Sequence, residues 1–95
     1  MVEKNIEVHL RDRAKVLGGK AYKFVSPGND GMPDRLVCLP GGRIAFVETK
    51  APGKKSTPLQ LKKQAELRAM GFLVFKDIDS KAAVESVLAI IGGVK

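Results

Sequence analysis

The feature of this sequence that most constrains its fold is a pair of strand-like runs, residues 34–39 and 43–49, separated by Pro40-Gly41-Gly42. Proline and glycine together mark tight turns, so the two runs are predicted to pair as a hairpin. Counting outward from the three-residue turn sorts the apolar side chains onto two faces. One face carries Leu36, Cys38, Ile44 and Phe46, and the other carries Val37, Leu39, Ala45 and Val47. Because both faces are apolar, helices are expected to cover both.

The segment before the hairpin is predicted to be a helix followed by a short strand. Apolar residues recur at spacings of three and four and so share one helix face; they are Ile6, Leu10, Ala14 and Leu17. Gly18-Gly19 supplies the residue type that ends a helix in the left-handed conformation. A strand is predicted at about residues 21–25, before a turn-rich segment that ends at Pro33.

The segment after the hairpin is predicted to be helix, strand, helix. Thr57 is a good N-cap, Pro58 suits the first helical position, and Gln60 completes a capping box, so a helix should run from here to about Met70. A strand follows at about residues 72–75 or slightly beyond, and a last helix at about 80–91. Strands three and four are joined through a helix and should therefore be parallel. The predicted fold is α/β, one domain over residues 1–95, with a mixed four-stranded sheet flanked by helices in the order α-β-β-β-α-β-α.

The charge balance favours a polyanionic partner. The net charge is +7 in 95 residues, which is typical of proteins that bind nucleic acids, catalytic or not.

No apolar run approaches the roughly 20 residues of a membrane-spanning helix, so no membrane partner is expected. A single cysteine, Cys38, and a single histidine, His9, exclude an internal disulfide and a structural zinc site. The cytoplasm is the expected compartment.

Two acidic residues are predicted to face each other across the hairpin. Continuing the count places Asp34 opposite Glu48, with Cβ atoms about 5 Å apart on one face. Two carboxylates at that distance repel by roughly 3 kcal/mol at an effective dielectric constant near 20. A divalent cation such as Mg²⁺, which binds carboxylate oxygens, would reverse the sign of that interaction. Lys50 falls on the same face, so two acids and a lysine converge. The alternative for each residue is an ordinary solvated strand end.

The spacing of these residues resembles a known nuclease signature. Pro33-Asp34, thirteen intervening residues and Glu48-Thr49-Lys50 are similar to the PD-(D/E)xK motif. More closely, the sequence resembles a stand-alone VRR-NUC domain, a small branch of that superfamily, over about residues 6–75. The stretches that carry this resemblance are Leu17-Gly18-Gly19, Tyr22-Lys23, Ser26-Pro27-Gly28, Gly31, Pro33-Asp34-Arg35, Gly41-Gly42, Phe46 to Gly53, Thr57 to Gln60 and Gly71-Phe72.

The resemblance implies a restriction-endonuclease-like core and a role for each matching residue. Asp34 and Glu48 would bind Mg²⁺, for which Mn²⁺ could substitute, together with the backbone carbonyl of Thr49. Thr49 replaces the aliphatic residue of most relatives, and only its main chain is expected to contribute. Lys50 would position or deprotonate the attacking water and steady charge on the phosphate, and the positioning role is favoured over that of a true general base.

Two further positions carry alternatives. Glu7 matches the acidic residue that the superfamily places in the first helix, with Glu3, one turn earlier, as the competing candidate. Gln60 matches a glutamine close to the family's active site, and its role as the capping-box partner of Thr57 is an equal alternative.

The implied activity is that of a Mg²⁺-dependent endodeoxyribonuclease. Lys54, Lys55, Lys62 and Lys63 are the candidate DNA contacts. Stand-alone domains of this kind are similar to enzymes that cleave Holliday junctions as symmetric dimers, so a homodimer and a branched DNA substrate are expected. The alternatives are a non-catalytic basic DNA-binding module and an inactive subunit of a larger complex.

Overall fold

The computed structural model describes residues 2–93 and has the predicted element order. A single sheet of four strands is flanked by three helices. The elements are α1 (Glu3–Val16), β1 (Lys20–Lys23), β2 (Arg35–Leu39), β3 (Arg43–Thr49), α2 (Pro58–Ala69), β4 (Val74–Ile78) and α3 (Lys81–Ile91). The strands lie in the order β1-β2-β3-β4, antiparallel except for the parallel pair β3–β4. The α/β class, the mixed sheet and the parallel crossover are therefore confirmed.

The hairpin register is also confirmed. Leu39 pairs with Arg43, Leu36 with Phe46 and Arg35 with Val47, as the three-residue turn requires. Alternate residues therefore point to opposite faces of the sheet, as predicted.

Each face of the sheet has its own apolar cluster. Buried side chains of α1 and α3 pack on the face that carries Val37, Ala45 and Val47, and this cluster includes Ile6 and Leu88. A smaller cluster forms under α2 on the other face, and its buried members are Phe46, Leu67 and Val74. The second face is less completely covered, because Tyr22 and Ile44 at its edge remain 48% and 41% exposed. Among residues 2–93, no helix is both long enough and apolar enough to cross a membrane.

The helix ends follow local chemistry. The capping box of α2 is present, with the Thr57 hydroxyl accepting from the Gln60 amide and the Gln60 side-chain carbonyl accepting from the Thr57 amide. In α1, Ile6, Leu10 and Ala14 are buried as predicted, but Leu17 is 44% exposed. Leu17 already lies outside the helix, at its C-cap, so the helical period no longer directs its side chain inward.

The two edge strands differ from their predicted bounds. β1 covers Lys20–Lys23 instead of about residues 21–25. β4 covers Val74–Ile78 where residues 72–75 or slightly beyond were predicted, so it begins two residues later and ends three residues after Phe75. The register of β4 against β3 shifts between the pairs Val47–Phe75 and Thr49–Ile78, which is a β-bulge. A bulge interrupts the two-residue alternation on which the prediction depends, and the strand continues through Lys76-Asp77 to Ile78.

Candidate active site

The antiparallel register brings Asp34 and Glu48 together at one end of the hairpin. Asp34 immediately precedes β2, and the pair Arg35–Val47 places it opposite Glu48 of β3. Glu48 is only 4% exposed, and Asp34 is half-buried. The two carboxyl groups thus share a poorly hydrated position in which both cannot ionise without a large electrostatic cost.

Thr49 holds the Asp34 carboxylate from two directions. The Thr49 amide donates to Oδ1 of Asp34 at 2.7 Å, and the Thr49 hydroxyl donates to Oδ2. The expectation that only the main chain of Thr49 would contribute is therefore wrong: its side chain, which is fully buried, fixes the acid. Burial raises the pKa of Asp34, the bonds from Thr49 oppose that rise, and nearby Glu7 adds to it; the pKa is raised on balance.

Glu48 has a strongly perturbed carboxyl group. Its Oε1 is buried and has no hydrogen-bond partner among the described residues. Burial, followed by the charge of Asp34, raises the pKa of Glu48 to about 8, although Lys50 acts in the opposite direction. An acid with a pKa near neutrality and an unpartnered buried oxygen is unfavourable for folding alone, and such groups concentrate at functional sites.

Of the two candidate acids of α1, Glu3 and Glu7, Glu7 is already paired with a cation. Arg35 donates to Oε1 of Glu7 from Nε at 3.3 Å and from Nη2 at 3.1 Å, and it also donates to the carbonyl of Ala21. The pair is mostly buried, with 13% of the Arg35 side chain and 22% of the Glu7 side chain exposed. Arg35 therefore joins α1 to the first two strands and holds Glu7 beside the acid pair.

The carboxylate of Glu3 is more available to a cation than that of Glu7. Glu3 is exposed, and partial desolvation, then the charges of Asp34 and Glu7, raise its pKa, while Lys50 lowers it. Its carboxyl group is therefore within electrostatic range of Asp34 and Lys50. Lys50 itself is half-buried at the end of β3, with its amide bonded to the carbonyl of Ile78 at 2.9 Å.

The remaining predicted residues lie along α2 and the loop before it. Gln60 is half-buried and its side chain serves the helix cap; a catalytic role stays a prediction. Lys54, Lys55 and Lys62 are exposed. Lys63 is half-buried and lies 3.6 Å from Glu66, so it is less available for a phosphate contact than the other three lysines.

Sequence reasoning missed a polar network that joins β4, the loop before α2, and α2 itself. Oδ1 of Asp77 accepts from the amide and the hydroxyl of Ser56, both at 2.7 Å, and Ser56 Oγ accepts from Nε2 of Gln64 at 3.1 Å. Gln64 is fully buried. The one available signal was a glutamine at a position of α2 that faces the sheet, three residues before buried Leu67.

The acid pair fits a hard divalent cation. No group of three or more His, Cys, Asp or Glu side chains capable of holding a metal ion occurs within residues 2–93. A cation here would accordingly depend on the two carboxylates of Asp34 and Glu48, with backbone carbonyl and water oxygens completing its shell, as Mg²⁺ accepts. The unpartnered Oε1 of Glu48 is an available ligand atom, and a cation here would favour the ionised forms of both acids, whose pKa values burial raises.

The comparisons with known proteins agree with this geometry. No protein-family model matches the chain. The chain is 58% identical over 72 residues to "Putative nuclease p44" of Acyrthosiphon pisum secondary endosymbiont phage 1, a match that covers 76% of this chain and 77% of that protein. A solved structure described as a VRR_NUC domain superimposes with a TM-score of 0.83 at 34% identity, over 90% of this chain and 92% of that chain.

Proposed function

Because this chain belongs to the VRR-NUC nuclease family, we propose that it is a metal-dependent, structure-selective DNA endonuclease. The observation that carries the metal dependence is the Asp34–Glu48 pair, with its buried, unpartnered Glu48 oxygen. Folding gains nothing from two acids in this position, and a cation between them removes the repulsion. The enzyme would hydrolyse phosphodiester bonds with Mg²⁺, or with Mn²⁺ in its place.

Asp34, Glu48 and the carbonyl of Thr49 would hold the cation. A bound divalent cation lowers the pKa of water and neutralises charge on the phosphate during hydrolysis. The two bonds from Thr49 to Asp34 fix the carboxylate before the cation arrives, so little reorganisation accompanies binding. Each carboxylate oxygen has two lone pairs, so Asp34 retains capacity for a metal bond while accepting from Thr49.

Lys50 would act on the water and the phosphate. An ammonium group is a proton donor with no acceptor, so at neutral pH it orients a water by donating to its oxygen and stabilises negative charge on a phosphate. The role of a general base is less favoured, because an ammonium group has no lone pair with which to accept a proton. Glu3 or Glu7 would add a further carboxylate that contacts the cation through water. Of these, Glu3 has the freer carboxylate, because Glu7 is bound to Arg35. Gln60 would lie near the same site.

The substrate would be bound through its phosphates. The protein carries a net charge of +7, and the candidate DNA contacts in the loop after Lys50 and on α2 are Lys54, Lys55, Lys62 and Lys63. No aromatic side chain alternates with them, which favours a duplex or branched DNA backbone over stacked single-stranded bases. A four-way junction needs two coordinated cuts, and a two-fold symmetric homodimer would supply two sites. We therefore propose a Holliday junction as the substrate and a homodimer as the active form.

The experiment is cleavage of labelled four-way junction, flap and linear duplex DNA in Mg²⁺, Mn²⁺ or EDTA. Glu48→Gln preserves side-chain shape and removes the charge, and Glu66→Gln, an exposed residue of α2, is the matched control. Wild type and Glu66→Gln should cut in either metal and not in EDTA, whereas Glu48→Gln should not cut. Equal cutting by Glu48→Gln, or cutting in EDTA, would contradict the proposed mechanism.

Two further results separate the alternatives. A junction that is bound and never cut, in either metal, would favour the non-catalytic binding module. The mass of the protein in solution, with and without junction DNA, tests the dimer independently of cleavage. A monomer that cuts a linear duplex as well as a junction would refute the junction preference. It would not contradict the proposed nuclease activity.

A further inference from the structure

The bulge in β4 holds Asp77 in a backbone conformation that side chains rarely adopt. Its φ is +55°, and it is the only residue other than glycine with a positive φ among residues 2–93. Aspartate and asparagine tolerate this conformation better than most residues, yet it remains less stable than the ordinary strand conformation. Such strain persists where the surrounding structure requires it, and it concentrates at functional positions.

In this conformation the Asp77 carboxylate contacts Ser56. One oxygen, Oδ1, accepts both the amide and the hydroxyl of Ser56 at 2.7 Å. Ser56 in turn accepts from Gln64, whose side chain is fully buried. Burial acts to raise the pKa of Asp77, but the two bonds from Ser56, with Lys76 and Lys55, bring it below the usual value. The carboxylate is therefore ionised and firmly held at neutral pH.

Ser56 is the last residue of the segment 51–56, which we call the lysine loop. Two other bonds attach this loop to the same part of β4: the amide of Gly53 donates to Oδ2 of Asp79 at 3.1 Å, and the amide of Lys50, just before the loop, donates to the carbonyl of Ile78 at 2.9 Å. The loop is thus fastened at its start, middle and end to residues 77–79. The charged side chains left exposed between these points are those of Lys54 and Lys55.

We propose that Asp77 is a positioning residue for DNA binding. Through Oδ1 it fixes Ser56 and holds the lysine loop so that Lys54 and Lys55 contact the phosphate backbone next to the acid pair. This inference rests on the proposed function in one respect, that the protein binds DNA. A fixed loop loses less conformational freedom on binding than a mobile one, so its two lysines displace counterions from the DNA more completely.

Substitutions at position 77 separate the contact from the backbone strain. Asp77→Gly adopts a positive φ without strain but has no acceptor for Ser56. Asp77→Asn keeps an oxygen acceptor and tolerates the same backbone. The measurement is binding of a labelled linear duplex and a labelled four-way junction in EDTA, at a series of salt concentrations. We expect Asp77→Gly to weaken binding and to reduce the slope of log K against log salt by about one to two. Asp77→Asn should stay close to wild type.

The direction of the expected change in DNA affinity distinguishes the positioning role from an effect of net charge. Asp77→Gly makes the protein more positive, which by itself strengthens DNA binding. Asp12→Asn, on the exposed surface of α1, changes the charge by the same amount and should not weaken binding. In a Lys54→Ala/Lys55→Ala background, Asp77→Gly should neither weaken binding nor reduce the slope further, because a positioning residue acts only through the groups it positions.

Three outcomes would overturn the inference. The first is a wild-type slope in Asp77→Gly, and the second is an equal effect of Asp77→Gly with and without the two lysines. If Asp77→Gly does not fold, Ser56→Ala removes the hydroxyl contacts and keeps the amide contact with Asp77, so a smaller reduction of the slope is expected. An unchanged slope in that variant is then the third outcome. If wild type binds neither DNA in EDTA, the proposed DNA-binding function fails together with this inference. If wild type binds and only the predicted change is missing, the positioning role alone fails.

Discussion

Replacing Glu48 with glutamine should make the metal-free protein more stable while removing its activity. Glu48 is 4% exposed and faces Asp34, and its pKa is raised from 4.5 to about 8. An acid with a higher pKa in the folded state binds its proton more tightly when folded. Stability is therefore full below pH 4.5, falls as the pH rises toward 8, and changes little above that.

The size of the effect follows from the two pKa values. At pH 7 an unfolded glutamate is ionised, and the folded Glu48 is mostly protonated, which costs on the order of 3 kcal/mol relative to a neutral side chain. Glutamine has the same shape and no charge, so Glu48→Gln avoids this cost. In a domain of this size 3 kcal/mol corresponds to a rise in melting temperature of more than about 10 °C.

The assay is thermal and urea unfolding in EDTA at several pH values. The stability difference between variant and wild type should be near zero at about pH 4 and should increase by up to about 1.4 kcal/mol per pH unit toward pH 8. Glu66→Gln, which alters an exposed acid, should change stability by less than about 0.5 kcal/mol. Added Mg²⁺ or Mn²⁺ should stabilise wild type and leave Glu48→Gln unchanged. A variant no more stable than wild type at pH 8 would refute the reasoning.

Three substitutions elsewhere test the packing of the fold. Gly19→Ala should destabilise the fold by roughly 3 kcal/mol in urea unfolding, because a Cβ at this position would lie 2.2 Å from the carbonyl oxygen of Cys38; a loss below about 1 kcal/mol would contradict this. Arg35→Met should cost about 2 kcal/mol by leaving the Glu7 carboxylate unpaired, and Glu7→Gln in the same chain should restore part of that loss. Ile6→Ala removes a fully buried side chain and should lower the free energy of unfolding by about 2–5 kcal/mol. A near-zero change would contradict the placement of Ile6 in the core.

The sequence predicted the fold well where patterns are local. The turn Pro40-Gly41-Gly42 fixed the hairpin register, and the register placed Asp34 opposite Glu48. The capping box at Thr57 and Gln60 gave the start of α2. These features depend on residues close together in the chain, so spacing alone was sufficient.

The end of β4 could not be predicted in the same way. Its last residues, Lys76-Asp77-Ile78, lack the alternation of a strand because the bulge inserts an extra residue. They pair with β3 only because the crossover through α2 brings them alongside it. Leu17 was mispredicted for the opposite reason. Its spacing from Ala14 fits the buried face of a helix, but α1 has already ended at Val16.

By itself, then, the sequence determined the α/β fold, the pairing of the two acids and the convergence of Lys50 with them, because turn length and strand period fix these relations. Only the tertiary structure decided what each group contacts. It assigned Arg35 to Glu7, the Thr49 hydroxyl to Asp34, and Ser56 to Asp77. These partners are 15 to 28 residues apart, and hydrogen bonds between such distant residues depend on how the elements pack. That packing also buried Glu48 and thereby raised the pKa of its carboxyl group.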